Sequence, residues 1–299
     1  MTKILVNCPN LKRINEYKNH TFDGFILGIE GYSENFNNYV KINELQTYLN
    51  EINKLNKDVY IFLNKLYFEE EISGLKDVIK ELINNNITNI GFTDYSVLNI
   101  INDMKYDKNI VWISNHLGTN SNTINYLNKF GVNKVFLSTE ITKDEIISIK
   151  NNVNCNVIVK MYGHLLMATS SRKLLSNYFK YINKNKDKDL YTFKDIVKNK
   201  DYLIKEEDNS LFLTKDVLNG LLFLKELYDN KVDYIYLDDY LIDDKKFLNI
   251  IDAYSDGLNN IDDVDFINKL NEVVKINTEN NTFNGFLDKK TVFRVNDYE

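Results

Sequence analysis

The chain has 299 residues, 43% hydrophobic and 13% aromatic, enough to bury a large core and within the usual size of one α/β barrel. A formal net charge of −6 excludes a protein that binds nucleic acid through its whole surface. Two cysteines, Cys8 and Cys155, are too few for a disulfide framework or a metal knuckle and fit a reducing compartment.

The first residues, MTKILVNCPN, hold only a few apolar positions before Asn7, so no secretory segment is expected there. No apolar run approaches the roughly 18 residues that a membrane span needs. A cytoplasmic location without membrane attachment is the expectation. Abundant Asn, Lys and Ile with a single proline, Pro9, reflect a base-composition bias and carry no functional meaning.

In chain order, apolar runs predict strands at 3–6 (KILV), 24–29 (GFILGI), 59–64 (VYIFLN), 89–94 (NIGFTD), 109–114 (NIVWIS), 134–138 (KVFLS), 156–162 (NVIVKMY) and 233–238 (DYIYLD). Amphipathic segments lie between them, among them INELQTYLNEINKLN, LKDVIKELINNN, SVLNIINDM, TINYLNKFG and KDEIISIKNN. Eight near-continuous apolar strands alternating with helices predict a closed (β/α)8 TIM-like barrel, because parallel strands are buried on both faces. An open doubly wound sheet is the alternative. The alternation breaks once, where about 70 residues separate strands seven and eight. A single domain over 1–299 is expected, with 166–220 as an insertion leaving the C-terminal face of the barrel, where barrel enzymes keep their chemistry.

Polar residues end the strands: Asn7, Glu30, Asn64, Asp94, Asn115, Glu140, Tyr162 and Asp238. A barrel would gather them at one mouth, although strand ends are polar in general. The local signatures of phosphate loops, dinucleotide sites, zincins and hydrolase elbows are absent. The histidines are His20, His116 and His164; Glu140 or the run DDYLIDD (238–244) could supply oxygen ligands beside them, but acidic runs at helix starts commonly serve as caps. No metal site is expected. Between Ser170 and Lys200 the charge reverses, with nine Lys/Arg from Arg172 to Lys200 against Asp187, Asp189 and Asp195. Such a patch can contact phosphates or remain a solvated face.

The segment MYGHLLMATSSRKLLSNYFKY (161–181) is the most specific in the chain. It resembles the signature block of peptidase family U32, the collagenase-like proteases, through Gly163, Ser170, Arg172, Leu174, Leu175, Ser176, Asn177 and Tyr178. VYIFLNKLYF resembles the family's third strand. VFLSTEITKDEI resembles a later strand, with Thr139 in place of an arginine. The stretch from LIKEEDNS to DYIYLD, and the C-terminal NGFLDKKTVFRV, resemble the family's hairpin, last strand and end. The likeness covers nearly the whole chain.

Active members of the family hold an iron–sulfur cluster on cysteines, and this chain has Leu166 and Lys173 at the two cysteine positions of the block. The later cysteine-rich stretch is missing, and YLDDY replaces a segment ending in glycine and arginine. The resemblance therefore implies a cysteine-poor, shorter subunit of a pair, with any cluster in a longer, cysteine-bearing paralog and no cofactor in this chain. Such pairs are implicated in hydroxylating the wobble uridine of tRNA to 5-hydroxyuridine; related pairs hydroxylate a quinone precursor. Candidate ligand- or RNA-contacting residues are Glu30, Asn64, Glu140, Tyr162, Gly163, His164, Ser170, Arg172, Ser176, Asn177 and Tyr178. Gly163 is expected to turn the chain off strand seven into the mouth, and Arg172 to offer a two-bond anion contact. On the local reading, Ser170 and Ser176 are turn and cap residues. Three functions remain open at this stage: a tRNA hydroxylase subunit that contacts RNA through Arg172–Lys200 or supports its partner, a peptidase, and a noncatalytic small-molecule-binding barrel.

Overall fold

The computed structural model describes residues 2–114, 116–196 and 200–289. Asn115 of the polar ring, Lys198 of the basic patch and 290–295 of the C-terminal stretch lie outside the described residues. Strands β1 (Lys3–Asn7), β2 (Gly24–Ile29), β3 (Asp58–Leu63), β4 (Asn89–Phe92), β5 (Asn109–Ile113), β6 (Val132–Phe136) and β7 (Asn156–Ser170) pair in sequence, each parallel to the next. Beyond them lie β8 (Leu190–Asp195), β9 (Lys200–Glu206), β10 (Ser210–Asn219) and β11 (Tyr234–Leu237). Strand β11 runs parallel to both β7 and β1, and this double pairing closes an eight-stranded barrel. The open sheet is thereby excluded.

Side chains alternate along each strand, so each strand feeds two cores. Outward residues such as Ile4, Val6, Phe25, Leu27, Val157, Val159, Ile235 and Leu237 pack under the helices. Inward residues, Leu5, Ile26, Tyr60, Phe62, Val111, Ile113, Phe136, Ile158, Tyr234 and Tyr236, fill the barrel. Its floor also holds Lys134, whose ammonium donates to the Tyr60 hydroxyl at 2.9 Å and to Asn89 at 2.8 Å.

The crossovers are α1 (Leu45–Lys54), α2 (Ile72–Asn84), α3 (Tyr95–Asp103), α4 (Ser121–Asn128) and α5 (Lys143–Asn151), with a 3-10 helix at Leu11–Asn19 between β1 and β2. Later come α6 (Leu174–Tyr181), α7 (Leu224–Asp229), α8 (Asp244–Asn259) and α9 (Val264–Asn277). Side chains start several of these helices: Asp94 caps α3, Asn120 caps α4, and Thr142 with Glu145 forms a capping box on α5. Left-handed residues stop them, with Asn56, Asn86, Lys105, Asn183 and Lys231 two positions beyond α1, α2, α3, α6 and α7.

The sequence predicts a turn at Gly163, but the chain continues as a strand and changes partners. Up to Tyr162, β7 pairs in parallel with β11; from Tyr162, which pairs with both, to Ser170 it pairs antiparallel with β10. Strands β9 and β8 continue that sheet outward, so the excursion is an antiparallel extension with α6 packed against it. Gly163 has φ +120°, and a Cβ there would lie 2.7 Å from both Cβ and the carbonyl oxygen of Asp238. The glycine is required twice over, by its dihedral and by this close approach. Gly163→Ala is therefore expected to destabilise the protein by about 3 kcal/mol, read as a lower urea midpoint. An unchanged midpoint would contradict the account of the strand switch.

Candidate functional site at the barrel mouth

The C-terminal mouth is built on one ion pair. Lys160 points inward from β7, and its ammonium lies 2.6 Å from Asp238, which follows β11; both side chains are buried. The ammonium also donates to the His164 carbonyl at 2.5 Å. Asp238 accepts from the Asn7 amide at 2.9 Å and the Tyr240 backbone N–H at 3.0 Å. The same Asn7 nitrogen donates to Asp239 at 2.7 Å, while its oxygen accepts from the Tyr236 hydroxyl at 2.7 Å. Burial, and then the neighbouring Asp238, push the Asp239 carboxyl up to about 6.

The tip of the β9–β10 hairpin covers this site. Glu207 accepts from the hydroxyls of Tyr39 and Tyr240, both at 2.8 Å, and its carboxylate lies 3.2 Å from the Lys205 ammonium. Asn209 donates to Glu34 at 2.7 Å. Leu211 and Leu213 pack on Tyr240 behind the tip, with Leu166 alongside. Two cavities result. A larger one of about 290 Å³ lies under the tip and is acidic, lined by Glu30, Glu34, Glu207 and Asp208 with Lys65 opposite. Burial and the nearby Glu207 raise the pKa of Glu34 there. A smaller cavity of about 40 Å³ lies over the barrel axis between Asn35, Asn64, Lys160 and Asp238, large enough for about one water. Phe36 closes it from above, its ring packed onto Gly28, where a Cβ would lie 2.6 Å from it.

The predicted residues divide accordingly. Asn7, Asn64 and Asp238 meet at the mouth, and Asn64 bridges the backbone N–H and carbonyl of Glu34 at 3.1 and 3.0 Å. Glu30 sits exposed at the rim of the larger cavity. Glu140 lies 3.5 Å from His116, and Asp94 is spent on capping α3. Tyr162 is not a mouth residue: its ring faces the helices and packs on Phe247 and Tyr254.

His164 is buried with Nδ1 2.8 Å from the Thr214 carbonyl, which requires that nitrogen to donate; burial lowers its pKa. The Ser170 hydroxyl accepts from the Arg172 N–H at 3.3 Å, and the Ser176 hydroxyl donates to Glu206. Both serines act on local structure, and neither has a histidine partner. For Glu206, burial is outweighed by its bonds from Lys186 and Ser176, which hold it at about 2. Arg172, Asn177 and Tyr178 are exposed and line neither cavity.

Sequence reasoning missed Lys160, Glu207, Tyr39 and Tyr240, and reached Asp239 only as part of the acidic run DDYLIDD. One signal was available, a lysine at the centre of the apolar run NVIVKMY.

At the two cysteine positions of the block, Leu166 packs against the hairpin and Lys173 donates to the Glu207 carbonyl. Cys8 follows β1 at the mouth and Cys155 precedes β7 at the floor, so the two thiols sit at opposite ends of the barrel. Among the described residues no three His, Cys, Asp or Glu side chains are grouped to hold a metal. No described helix is long and apolar enough to cross a membrane.

The profile of Peptidase family U32 matches residues 10–295. The chain belongs to peptidase family U32. It is 23% identical over 251 residues to tRNA hydroxylation protein P2 of Bacillus subtilis (strain 168), covering 79% of this chain and 81% of that protein. It is 21% identical over 178 residues to tRNA hydroxylation protein P1 of the same organism, covering 59% of this chain and 42% of that protein. Among solved structures, the U32 peptidase Mk0906 aligns over 56% of this chain and 70% of that one, with TM-score 0.47 and 11% identity. A monomeric dihydrodipicolinate synthase variant aligns over 92% of this chain and 79% of that one, with TM-score 0.48 and 10% identity. In this U32 chain the signature block supplies the strand switch at Gly163 and the Lys173 bond to the hairpin.

The Asp239 geometry has a measurable consequence. A carboxyl whose folded pKa is raised contributes stability that is full below its unfolded value near 4 and is lost as pH rises through about 6. Asp239→Asn removes this dependence. Relative to the wild type, the variant is expected to gain on the order of 2 to 3 kcal/mol between pH 4 and pH 7.5, read from urea midpoints. Parallel pH profiles for the two proteins would show that Asp239 ionises normally.

Proposed function

We propose that this chain is the cluster-free subunit of a U32-family tRNA hydroxylation system, acting with a longer, cysteine-bearing paralog to form 5-hydroxyuridine at the wobble position. The observation that carries this reading is the similarity to tRNA hydroxylation protein P2 across 79% of this chain and 81% of that protein. The match to a second tRNA hydroxylation protein, P1, supports a paired arrangement.

The chemistry on the page is consistent with a division of labour. The chain has two thiols at opposite ends of the barrel, and its mouth is closed by Phe36 and the hairpin tip. The oxidising chemistry belongs, on this reading, to the paralog, while this subunit supports it and shares in holding RNA through the Arg172–Lys200 segment. The system is expected to operate in the cytoplasm. A peptidase is the weaker reading, because each histidine is engaged elsewhere: His20 with Asp252 at 2.7 Å, His116 with Glu140, and His164 with Thr214.

Deleting the gene is expected to remove 5-hydroxyuridine-derived nucleosides from total tRNA, measured by mass spectrometry, and affinity purification of the tagged chain should recover the paralog. Unchanged nucleosides in the deletion strain would refute the function; recovery of the chain alone from a strain that needs it for hydroxylation would refute the complex. The chain purified alone without oxygen is expected to hold substoichiometric iron and sulfide, since a cluster of this type wants thiolate ligands that it cannot group. A brown preparation with tightly bound iron would overturn the assignment of the cluster to the partner.

A further inference from the structure

The antiparallel extension has two unlike faces. One turns Leu211 and Leu213 toward Tyr240 and the mouth. By strand alternation the other face carries Tyr191 and Phe193 on β8, Tyr202 on β9 and Phe212 on β10. Phe193 stacks on Tyr202 with centroids 5.4 Å apart and planes at 21°, and meets Phe212 edge-on at 5.7 Å. Helix α6 lengthens the row: Phe179 lies 5.1 Å from Tyr191, and Tyr178 lies 5.7 Å from Phe179. Phe193 and Tyr178 are exposed. Phe193 stands exposed against the half-buried rings of Tyr202 and Phe212, leaving an aromatic surface open to a partner.

The charges around the row indicate what that is. The segment from Ser170 to Lys200 has nine cations against three carboxylates in a chain that is negative overall. The Lys188 ammonium sits 4.8 Å over the Tyr191 ring. Lys180, Lys184 and Lys200 form no ion pair among the described residues. Ring faces suit unpaired bases, and unpaired ammonium groups suit the phosphates that link them; a duplex hides its base faces and could use only the lysines.

We propose that the outer face of the β8–β10 sheet binds single-stranded RNA, stacking unpaired bases on Phe193, Tyr202 and Phe212 while Lys180, Lys184 and Lys200 hold phosphates. This rests on the tRNA reading above and deepens it: the part of the RNA held by this chain is a single-stranded loop. It also assigns recognition to the sheet face and not to Arg172.

The test uses the full chain with a fluorescent oligouridylate and a duplex RNA of equal length, followed by anisotropy at low salt. The single strand is expected to bind tighter than the duplex. Phe193→Leu, which keeps apolar bulk but loses the ring face, should weaken single-strand binding at least about fivefold with an unchanged melting temperature, and Phe193→Trp should restore it. Lys180→Ala and Lys200→Ala should each lower the slope of log affinity against log salt by about 0.7. No measurable single-strand binding, equal affinity for duplex, or a Phe193→Leu variant that binds like wild type would overturn the proposal. So would loss of paralog recovery with unaltered RNA affinity, which would make the face a protein interface. These outcomes are separable from the function, which the nucleoside measurement in the deletion strain decides by itself.

Discussion

The Lys160–Asp238 pair sits at the seam where β7, β11 and β1 close the barrel, directly beneath the point where β7 leaves it. A buried ion pair adds little net stability, since desolvating both charges offsets most of their attraction. Its value here is positional. Asp238 is satisfied by an ammonium, an amide and a backbone N–H from different elements, so only one arrangement of the seam meets every bond. Lys160 in turn binds the His164 carbonyl, one residue past Gly163, and fixes the direction in which the strand departs. The polarity of the mouth, its hydrogen-bonded Asp239 and the anchoring of the extension all follow from that seam.

The barrel was legible in the sequence because its strands are apolar on both faces, and eight such runs have few other arrangements. The extension was not. Strands such as LYTFKD and KDYLIKE mix charges with aromatics and expose one face, so they carry no continuous apolar signal. The partner switch of β7 was also hidden, since the backbone changes neighbours without ceasing to be extended. At the site, strand-end polarity located Asn7, Asn64 and Asp238 but misplaced Tyr162, whose side chain falls on the helix side of the alternation. Glu207 and Tyr240 were invisible because their roles depend on a hairpin that folds back over residues distant in sequence.

The family resemblance acquires a structural meaning at Leu166 and Lys173. Leu166 fills the gap between hairpin and barrel, and Lys173 holds the carbonyl of Glu207. Both replacements serve the closure of the mouth. The block thus acts as architecture, with Gly163 for the switch and Ser176 bonded to Glu206, while Ser210 from the hairpin ties the Leu174 N–H and the Arg172 carbonyl.

The left-handed residues behind five helices concern evolvability more than function. Asn56, Asn86, Lys105, Asn183 and Lys231 occupy a conformation in which glycine escapes a steric cost that other residues bear, roughly 1 kcal/mol each and less for asparagine. With only 11 glycines in the whole chain, most of these turns are made by residues that the genome's composition supplies cheaply. The protein therefore carries unclaimed stability at surface positions far from mouth and sheet. A lineage under heat or mutational load could recover it one codon at a time without touching anything that holds a ligand or a partner.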